Sequence, residues 1–214
     1  MLFLLSALTA GLAMLVACDP DPVRPGGTPA AAYENLSQRA HVLNNLELAY
    51  NKRNITKYDE LLDDNFTFVL SPGDVDAGLP PQWGRAEELQ YNRDLFDVNY
   101  AGQGRCKSIL LDVVWEDSLV WQAETMPSAP GETWYTATAY YRFKFEFEPD
   151  ITFVNLSGAK AEFVVRNAGT DAAPHWQLVE MYDSDAILLS TFRVTRVGTT
   201  RESMTWGGIK ALYR

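Results

Sequence analysis

The sequence is poor in the residue types that most often bind transition metals. It contains two cysteines, Cys18 and Cys106, and two histidines, His41 and His175. A structural zinc site takes four ligands, mostly from cysteine and histidine, so this supply argues against a zinc centre. We therefore expect no metal site of that kind.

Positive charge is also scarce. Lysine and arginine together number 18, against 28 aspartates and glutamates, and the formal net charge is −10. Binding to nucleic acid depends largely on basic residues that neutralise phosphates. The basic residues of this chain are scattered, even in its more basic C-terminal third. We therefore expect no nucleic-acid partner.

The common catalytic motifs are missing as well. The chain contains no Gly-x-Ser-x-Gly, His-Glu-x-x-His or Cys-x-x-Cys motif, no P-loop and no dinucleotide-binding fingerprint. This excludes the usual hydrolase, protease, kinase and dehydrogenase signatures, and we expect no cofactor. Residues 74–78, Asp-Val-Asp-Ala-Gly, have a hint of calcium-loop spacing, but the distal glutamate of an EF-hand is missing. Aspartate and glycine are also ordinary turn formers, which is the simpler interpretation.

The N-terminal apolar run is too short to span a bilayer. Residues 1–16 carry no charged side chain, whereas a transmembrane helix needs about 20 apolar residues. A short apolar segment that ends in small residues is typical of a secretory signal. The run closes with Leu-Val-Ala-Cys at residues 15–18, which resembles the lipobox of bacterial lipoproteins. The resemblance implies cleavage before Cys18, acylation of its thiol, and a membrane-anchored protein of the bacterial cell envelope that faces the periplasm or exterior.

Composition divides the rest of the chain into three parts. Residues 19–34 are rich in proline, glycine and alanine and predict a flexible tether. Residues 35–185 predict one folded domain, in which Cys106 is read as a small buried residue rather than a reactive thiol. Residues 186–214 predict a C-terminal docking extension. Its expected anchors are Trp206, Ile209 and Leu212.

Periodicity predicts helices first and strands later. Apolar residues recur at helical spacing over residues 42–50, a capping box at Thr56–Asp59 predicts a second helix, and a third opens near Gly84. The clearest strand covers residues 134–148, where apolar and polar residues alternate with period two. Strands are expected at residues 66–70, 109–115, 119–121, 134–148 and 175–182, and residues 151–166 predict either a strand pair or one bent strand.

Three motifs together resemble the NTF2-like superfamily, which includes the SnoaL-like polyketide cyclases. They are Leu-x-x-Ala-Tyr-Asn at residues 46–51, Tyr-x-x-Leu-Leu-Asp-Asp-x-Phe-x-Phe at 58–68, and His-Trp-Gln-Leu at 175–178. The resemblance implies an α+β cone, in which N-terminal helices pack in a strongly curved antiparallel sheet around an apolar cavity. It also implies a homodimer through the outer sheet face. Candidates for that interface are Trp134, Tyr140 and Trp206, unless the C-terminal extension covers that face within one chain.

Two functions fit this resemblance. The first is a non-catalytic, membrane-anchored protein that binds a small apolar or amphipathic ligand, or a protein partner. The alternative is a cofactor-independent cyclase, isomerase or dehydratase, with Asp64 as general base and Tyr50 or Tyr58 as hydrogen-bond donor. Against a catalytic role, Asp63 and Asp64 are also placed to end a helix, and both tyrosines to fill the core. Expected cavity residues are Phe66, Phe68, Trp115 and Tyr182; a role for His175 or His41 is weaker.

Overall fold

The structure is a computed structural model that describes residues 32–102, 104–115, 119–125, 131–148, 151–183 and 205–213, with the backbone alone for residues 151–158. The expected signal, the lipobox, nearly all of the tether and residues 186–204 of the extension lie outside the described residues. Glu34, at the end of the expected tether, is tied to the first helix, because its backbone exchanges two hydrogen bonds with the Asn45 side chain, at 2.9 and 2.8 Å.

Local capping explains where several helices begin. The Asn54 side chain accepts a hydrogen bond from the Lys57 amide at 3.0 Å, so the second helix starts at Ile55 and the capping box expected at Thr56 is not used. Ser71 and Thr205 cap two further helices in the same way. The helices are α1 (Arg39–Asn51), α2 (Ile55–Leu61), α3 (Pro72–Asp76), α4 (Arg85–Phe96) and α5 (Trp206–Ala211). Within the described ranges, none of them is long and apolar enough to cross a membrane.

The strands form one curved sheet. They are β1 (Leu62–Val69), β2 (Gln82–Gly84), β3 (Cys106–Val114), β4 (Gln122–Thr125), β5 (Thr133–Phe147), β6 (Ile151–Asn167) and β7 (Trp176–Asp183). Their order is β2-β1-β7-β6-β5-β3, and β4 pairs with β5 beside this path. Register shifts interrupt four of the strand pairs, and such bulges bend a sheet.

The expected α+β class, with N-terminal helices packed in a curved sheet, is confirmed. One feature of the expected sheet is wrong, because β1 and β7 pair in parallel while the other pairs are antiparallel. A parallel pair needs a long connection, and here the whole chain from α3 to β6 supplies it. The alternation over β5 is confirmed: one face buries Ala137, Ala139, Tyr141, Phe143, Phe145 and Phe147.

Candidate functional site

The C-terminal helix α5 lies inside the domain, between the helices and the inner face of the sheet. Trp206 and Ile209 are fully buried, as expected of anchors, whereas Leu212 is 47 % exposed and is not one. The Trp206 ring packs against Tyr50 and Tyr141, with ring centroids 5.2 and 5.0 Å apart. Placing Trp206 on the outer sheet face was therefore wrong, and the described part of the extension does not cover that face.

We use the term chamber for the interior residues that contact α5, namely Tyr50, Phe68, Glu88, Tyr141 and Asp183. They come from α1, β1, α4, β5 and β7, so the fold brings together residues that are far apart in sequence. Two of the five carry carboxyl groups, which is costly in a buried site unless partners are supplied. Their partners define what the chamber can bind.

The first carboxylate, Glu88, is fully buried and accepts hydrogen bonds from four side chains. The Asn92 amide donates to Oε1 at 2.8 Å, and the Trp83 indole donates to Oε2 at 2.6 Å. Tyr58 donates a further short hydrogen bond to Oε1. The fourth donor is the Lys210 ammonium group of α5, 2.7 Å from Oε1.

Lys210 is buried as completely as Glu88, so the two form an interior ion pair. Its Nζ lies 3.8 Å from the centroid of the Phe68 ring and 5.0 Å from that of Trp206. A cation over an aromatic face is stabilised by the ring quadrupole. Burial lowers the pKa of Lys210, and the nearby Glu88 carboxylate opposes that shift.

The second carboxyl group, Asp183, also meets α5. The Tyr141 hydroxyl donates to Asp183 Oδ1 at 2.6 Å, and the Gly207 amide donates to Oδ2 at 2.8 Å. Burial raises the pKa of Asp183 from 3.8 to about 6, although both hydrogen bonds favour the ionised form. Burial likewise raises the pKa of Tyr50, Tyr58 and Tyr141 well above its ordinary value, so these hydroxyls remain protonated donors.

The raised pKa of Asp183 predicts a pH-dependent stability. The folded state binds this proton more tightly than the unfolded chain, so the free energy of unfolding falls as the pH rises from about 4 to about 6. Two pKa units correspond to about 3 kcal/mol. We expect Asp183→Asn to remove this component, as measured by urea unfolding of both proteins across this pH range. Parallel pH profiles for wild type and variant would contradict the assignment.

The structure places Asp64, the expected catalytic base, on the surface of the domain. Asp64 is exposed, so it does not face the chamber and lacks the desolvation that a general base at this position needs. Its neighbour Asp63 is buried instead, and its carboxylate pairs with the Arg166 guanidinium at 2.6 Å. The catalytic hypothesis built on Asp64 is therefore wrong. Regular alternation would place Asp64 on the buried face with Leu62 and Phe66, but a register shift between Leu62 and Thr67 interrupts it, so that Asp63 is buried and Asp64 is exposed.

Other expected site residues divide between the interior and the outer face. Tyr50, Tyr58, Phe66 and Phe68 are buried in the main core, where the two tyrosines fill space as the alternative to a catalytic role predicted. Trp115 is buried too, although it also borders a cleft on the other side of the sheet. Tyr182 was wrongly assigned to the cavity. It belongs to a separate outer cluster that contains Trp134, Val164 and Val179.

The outer face carries a shallow cleft of about 410 Å³. Glu124, Glu162, Tyr140 and Lys160 contribute to its lining, and burial together with the nearby glutamates raises the pKa of Glu162. Trp134, expected at a dimer interface, is 7 % exposed within its own chain. That indole thus offers little surface to a second copy.

The weaker candidates take structural positions. The Nδ1 atom of His41 lies 2.6 Å from the Asn35 carbonyl oxygen, and His175 is exposed in the turn before β7. Cys106 is buried, and desolvation raises its thiol pKa to about 11, which makes it a poor nucleophile. Asp74 accepts a short hydrogen bond from Thr205 beside α5. Among the described residues, no group of three or more His, Cys, Asp or Glu side chains is arranged to hold a metal ion.

Sequence reasoning missed Glu88 and Lys210, yet a signal for Lys210 was present. Trp206, Ile209, Lys210 and Tyr213 follow the spacing i, i+3, i+4, i+7, which places the lysine on the buried stripe of a helix. Glu88 and Asn92 stand four residues apart and share a face of α4 in the same way. Lys210 and Glu88 thus each lie on the buried face of a helix, and two opposite charges on buried faces predict a buried ion pair.

No protein-family model matches the chain, and no curated protein matches it in sequence. Several solved structures are similar to it. An NTF2-like protein of unknown function in nutrient uptake from Rhodospirillum rubrum has 18 % identity, with 71 % of this chain and 99 % of that chain covered and a TM-score of 0.47. An NTF2-like superfamily protein from Salmonella enterica has 10 % identity, with 75 % of this chain and 92 % of that chain covered and a TM-score of 0.44. A hexachlorocyclohexane dehydrochlorinase, LinA type 2, has 8 % identity, with 72 % of this chain and 86 % of that chain covered and a TM-score of 0.44.

Proposed function

We propose that the protein is a membrane-anchored binding protein whose chamber takes a small amphipathic ligand, and that α5 fills this chamber when no ligand is bound. The observation that carries the proposal is the fully buried Glu88 carboxylate, whose only charged partner among the described residues comes from α5. Its three other donors, on α2, β2 and α4, are neutral.

A purely structural role explains this arrangement poorly. Replacing a buried ion pair by apolar residues of similar volume is often neutral or stabilising, so such pairs are weak devices for stability. The aromatic residues around it supply the apolar part of an amphipathic site. Glu88 and Asp183 supply its polar part, since both have an oxygen that is bonded to α5.

An acid/base enzyme remains the second candidate, now centred on Asp183 in place of Asp64. A carboxyl group with a pKa of about 6 and a tyrosine hydroxyl at 2.6 Å suits proton transfer near neutral pH. The Gly207 amide occupies the other oxygen of Asp183, so this chemistry also requires α5 to leave. Both candidate functions therefore require a ligand or substrate to displace α5.

Ligand binding is tested by loosening α5 without altering the chamber. Ile209→Ala removes a fully buried anchor of α5, while Leu212→Ala changes an exposed residue of the same segment and serves as the matched control. We expect the neutral amphipathic dye Nile red to bind Ile209→Ala saturably, with one dye per chain by native mass spectrometry, and to bind the control weakly. An Ile209→Ala protein with native near-ultraviolet circular dichroism, an exchanging α5 and no dye binding would contradict the proposal.

Anchoring is the other half of the proposal and depends on Cys18. The resemblance to a lipobox predicts that wild-type protein partitions into detergent and incorporates labelled palmitate in a bacterial host competent for lipoprotein processing. We expect Cys18→Ser to abolish both, with the folded domain unchanged, because the core described above begins beyond residue 32. A wild-type protein that stays unlabelled in the aqueous phase would refute the anchor.

A further inference from the structure

Three hydrogen bonds between α5 and the chamber share one direction. The Lys210 ammonium donates to Glu88 at 2.7 Å, and the Gly207 amide donates to Asp183 at 2.8 Å. The Trp206 indole N–H donates to the Tyr50 hydroxyl oxygen at 3.1 Å. In each of them α5 is the donor and the chamber is the acceptor. The chamber is therefore complementary to a molecule that carries donors and positive charge.

The cation position is built from groups that stay when α5 is removed. Glu88 keeps its bonds to neutral donors on α2, β2 and α4, which hold the carboxylate in place. The face of Phe68, 3.8 Å from the Lys210 nitrogen, closes the other side. A carboxylate opposite an aromatic face is a favourable receptor for an organic ammonium group.

The aromatic position is built in the same manner. Tyr50 and Tyr141 lie against the Trp206 ring in edge and tilted geometry, and the Tyr50 oxygen accepts the indole N–H. Such contacts favour a flat ring with a donor on its edge. Ring and cation together give the outline of the occupant.

The docked state of α5 depends on these contacts. A helix of six residues is too short to persist by itself in water, so its order comes from packing. At its ends it is tied by the bond from Thr205 to Asp74 and by the Tyr213 hydroxyl, which donates to the Gly104 carbonyl at 2.8 Å. A ligand that makes the same contacts competes with α5 directly.

We propose that the ligand of the chamber is a cationic aromatic amine, and that the side chains of Trp206 and Lys210 are intramolecular stand-ins for its ring and its ammonium group. This inference rests on the proposed function and adds the ligand class and a competition by α5. It excludes anionic ligands, since Glu88 and Asp183 would oppose them. It also predicts weaker binding of neutral molecules such as Nile red than of amines, because a neutral molecule leaves the Glu88 charge without a counter-ion.

The probe is tryptamine, which joins an indole N–H to a primary ammonium group. Indole-3-propionate keeps the indole ring and replaces the cation by a carboxylate, so it is the matched ligand control. We expect Ile209→Ala to bind tryptamine at least about tenfold more tightly than wild type, because α5 competes less, whereas Leu212→Ala binds as wild type does. Indole-3-propionate should bind none of them in calorimetric titrations.

Hydrogen exchange of the α5 amides distinguishes two ways in which tryptamine could bind: by displacing α5 from the chamber, or by entering a cavity beside a docked α5. If tryptamine replaces α5, the Gly207 and Gly208 amides of the wild-type protein exchange faster at saturating tryptamine. Slower exchange would overturn the proposal, because it would mean that tryptamine binds beside a docked α5. Should Ile209→Ala remain docked or fail to fold, Trp206→Ala is measured in the same way.

The outcomes distinguish this inference from the function on which it rests. Binding of Nile red but not of tryptamine to Ile209→Ala would overturn the amine class and leave the chamber as a ligand site. Equal affinity of wild type and Ile209→Ala for tryptamine would overturn the competition. Binding of neither molecule to a folded variant with an exchanging α5 would overturn the proposed function itself.

Discussion

Replacing Glu88 by leucine is expected to lower the free energy of unfolding by about 3–5 kcal/mol, the range measured when one partner of a buried ion pair is removed. The substitution leaves the docked Lys210 ammonium without its anion and leaves the Tyr58 and Trp83 donors without their acceptor, while the Asn92 amide keeps its bond to the Glu88 backbone carbonyl. Unsatisfied buried donors carry a further desolvation cost. Urea unfolding followed by tryptophan fluorescence measures the difference.

The exposed ion pair between Arg105 and Glu148 supplies a matched control. Both side chains are substantially exposed, so Glu148→Gln is expected to leave the free energy of unfolding almost unchanged. A double variant, Glu88→Leu with Lys210→Met, removes both interior charges and should recover much of the loss. If the losses of the two single variants simply add, Glu88 and Lys210 do not interact in the folded protein.

Trp206→Ala is expected to have the second-largest effect, which is a loss of hydrogen-exchange protection in α5. Truncating a fully buried tryptophan typically costs about 3–5 kcal/mol. Here the loss in the free energy of unfolding cannot exceed the free energy with which α5 docks in the chamber. A larger loss would undock α5, and the remaining domain would stay folded. We therefore expect a modest change in global stability together with a large increase in hydrogen exchange confined to α5.

Two observations test whether the effect of Trp206→Ala is confined to α5. Leu212→Ala, at an exposed position two turns or less from Trp206, should leave both global stability and α5 exchange within about 0.5 kcal/mol of wild type. A Trp206→Ala protein in which the strands of the sheet lose protection together with α5 would show that α5 is an inseparable part of the core.

Much of the fold follows from local patterns in the sequence. The strict alternation over β5 identifies its inner face residue by residue, because side chains in a strand point alternately to the two faces. The helical spacing of Val42, Leu43, Leu46, Ala49 and Tyr50 likewise predicts α1, although this helix is buried on all sides and also buries Asn44, Asn45 and Glu47. The alternation of β5 extends over many residues, so its period is unambiguous.

The parallel contact of β1 with β7 has no such local signature. Both strands were expected, but Leu62 pairs with Leu178 and Phe68 with Met181 across more than half of the chain. Pairing direction depends on how the intervening elements route the chain, which periodicity does not report. An antiparallel sheet was therefore the natural expectation and the wrong one for this pair.

The site was harder to predict because it breaks the rule that buried faces are apolar. Glu88 and Lys210 have charges that sequence reasoning assigns to solvent, and only their mutual pairing makes burial tolerable. Asp63 and Asp64 show the same difficulty on a smaller scale. Both were expected to end a helix before a strand at residues 66–70, whereas β1 begins at Leu62, and its irregular register there buries Asp63 and exposes Asp64.

Amide hydrogen exchange of Gly207, followed by NMR in the wild-type protein, tests most directly whether α5 occupies the chamber. Its N–H donates to the buried Asp183 carboxyl group, 2.8 Å away, and no strand or neighbouring turn provides that bond. We predict exchange at least about a hundredfold slower than in an unstructured peptide, and loss of that protection in Trp206→Ala. Exchange of Gly207 at the unstructured rate, in a protein whose β5 amides are protected, would contradict the account.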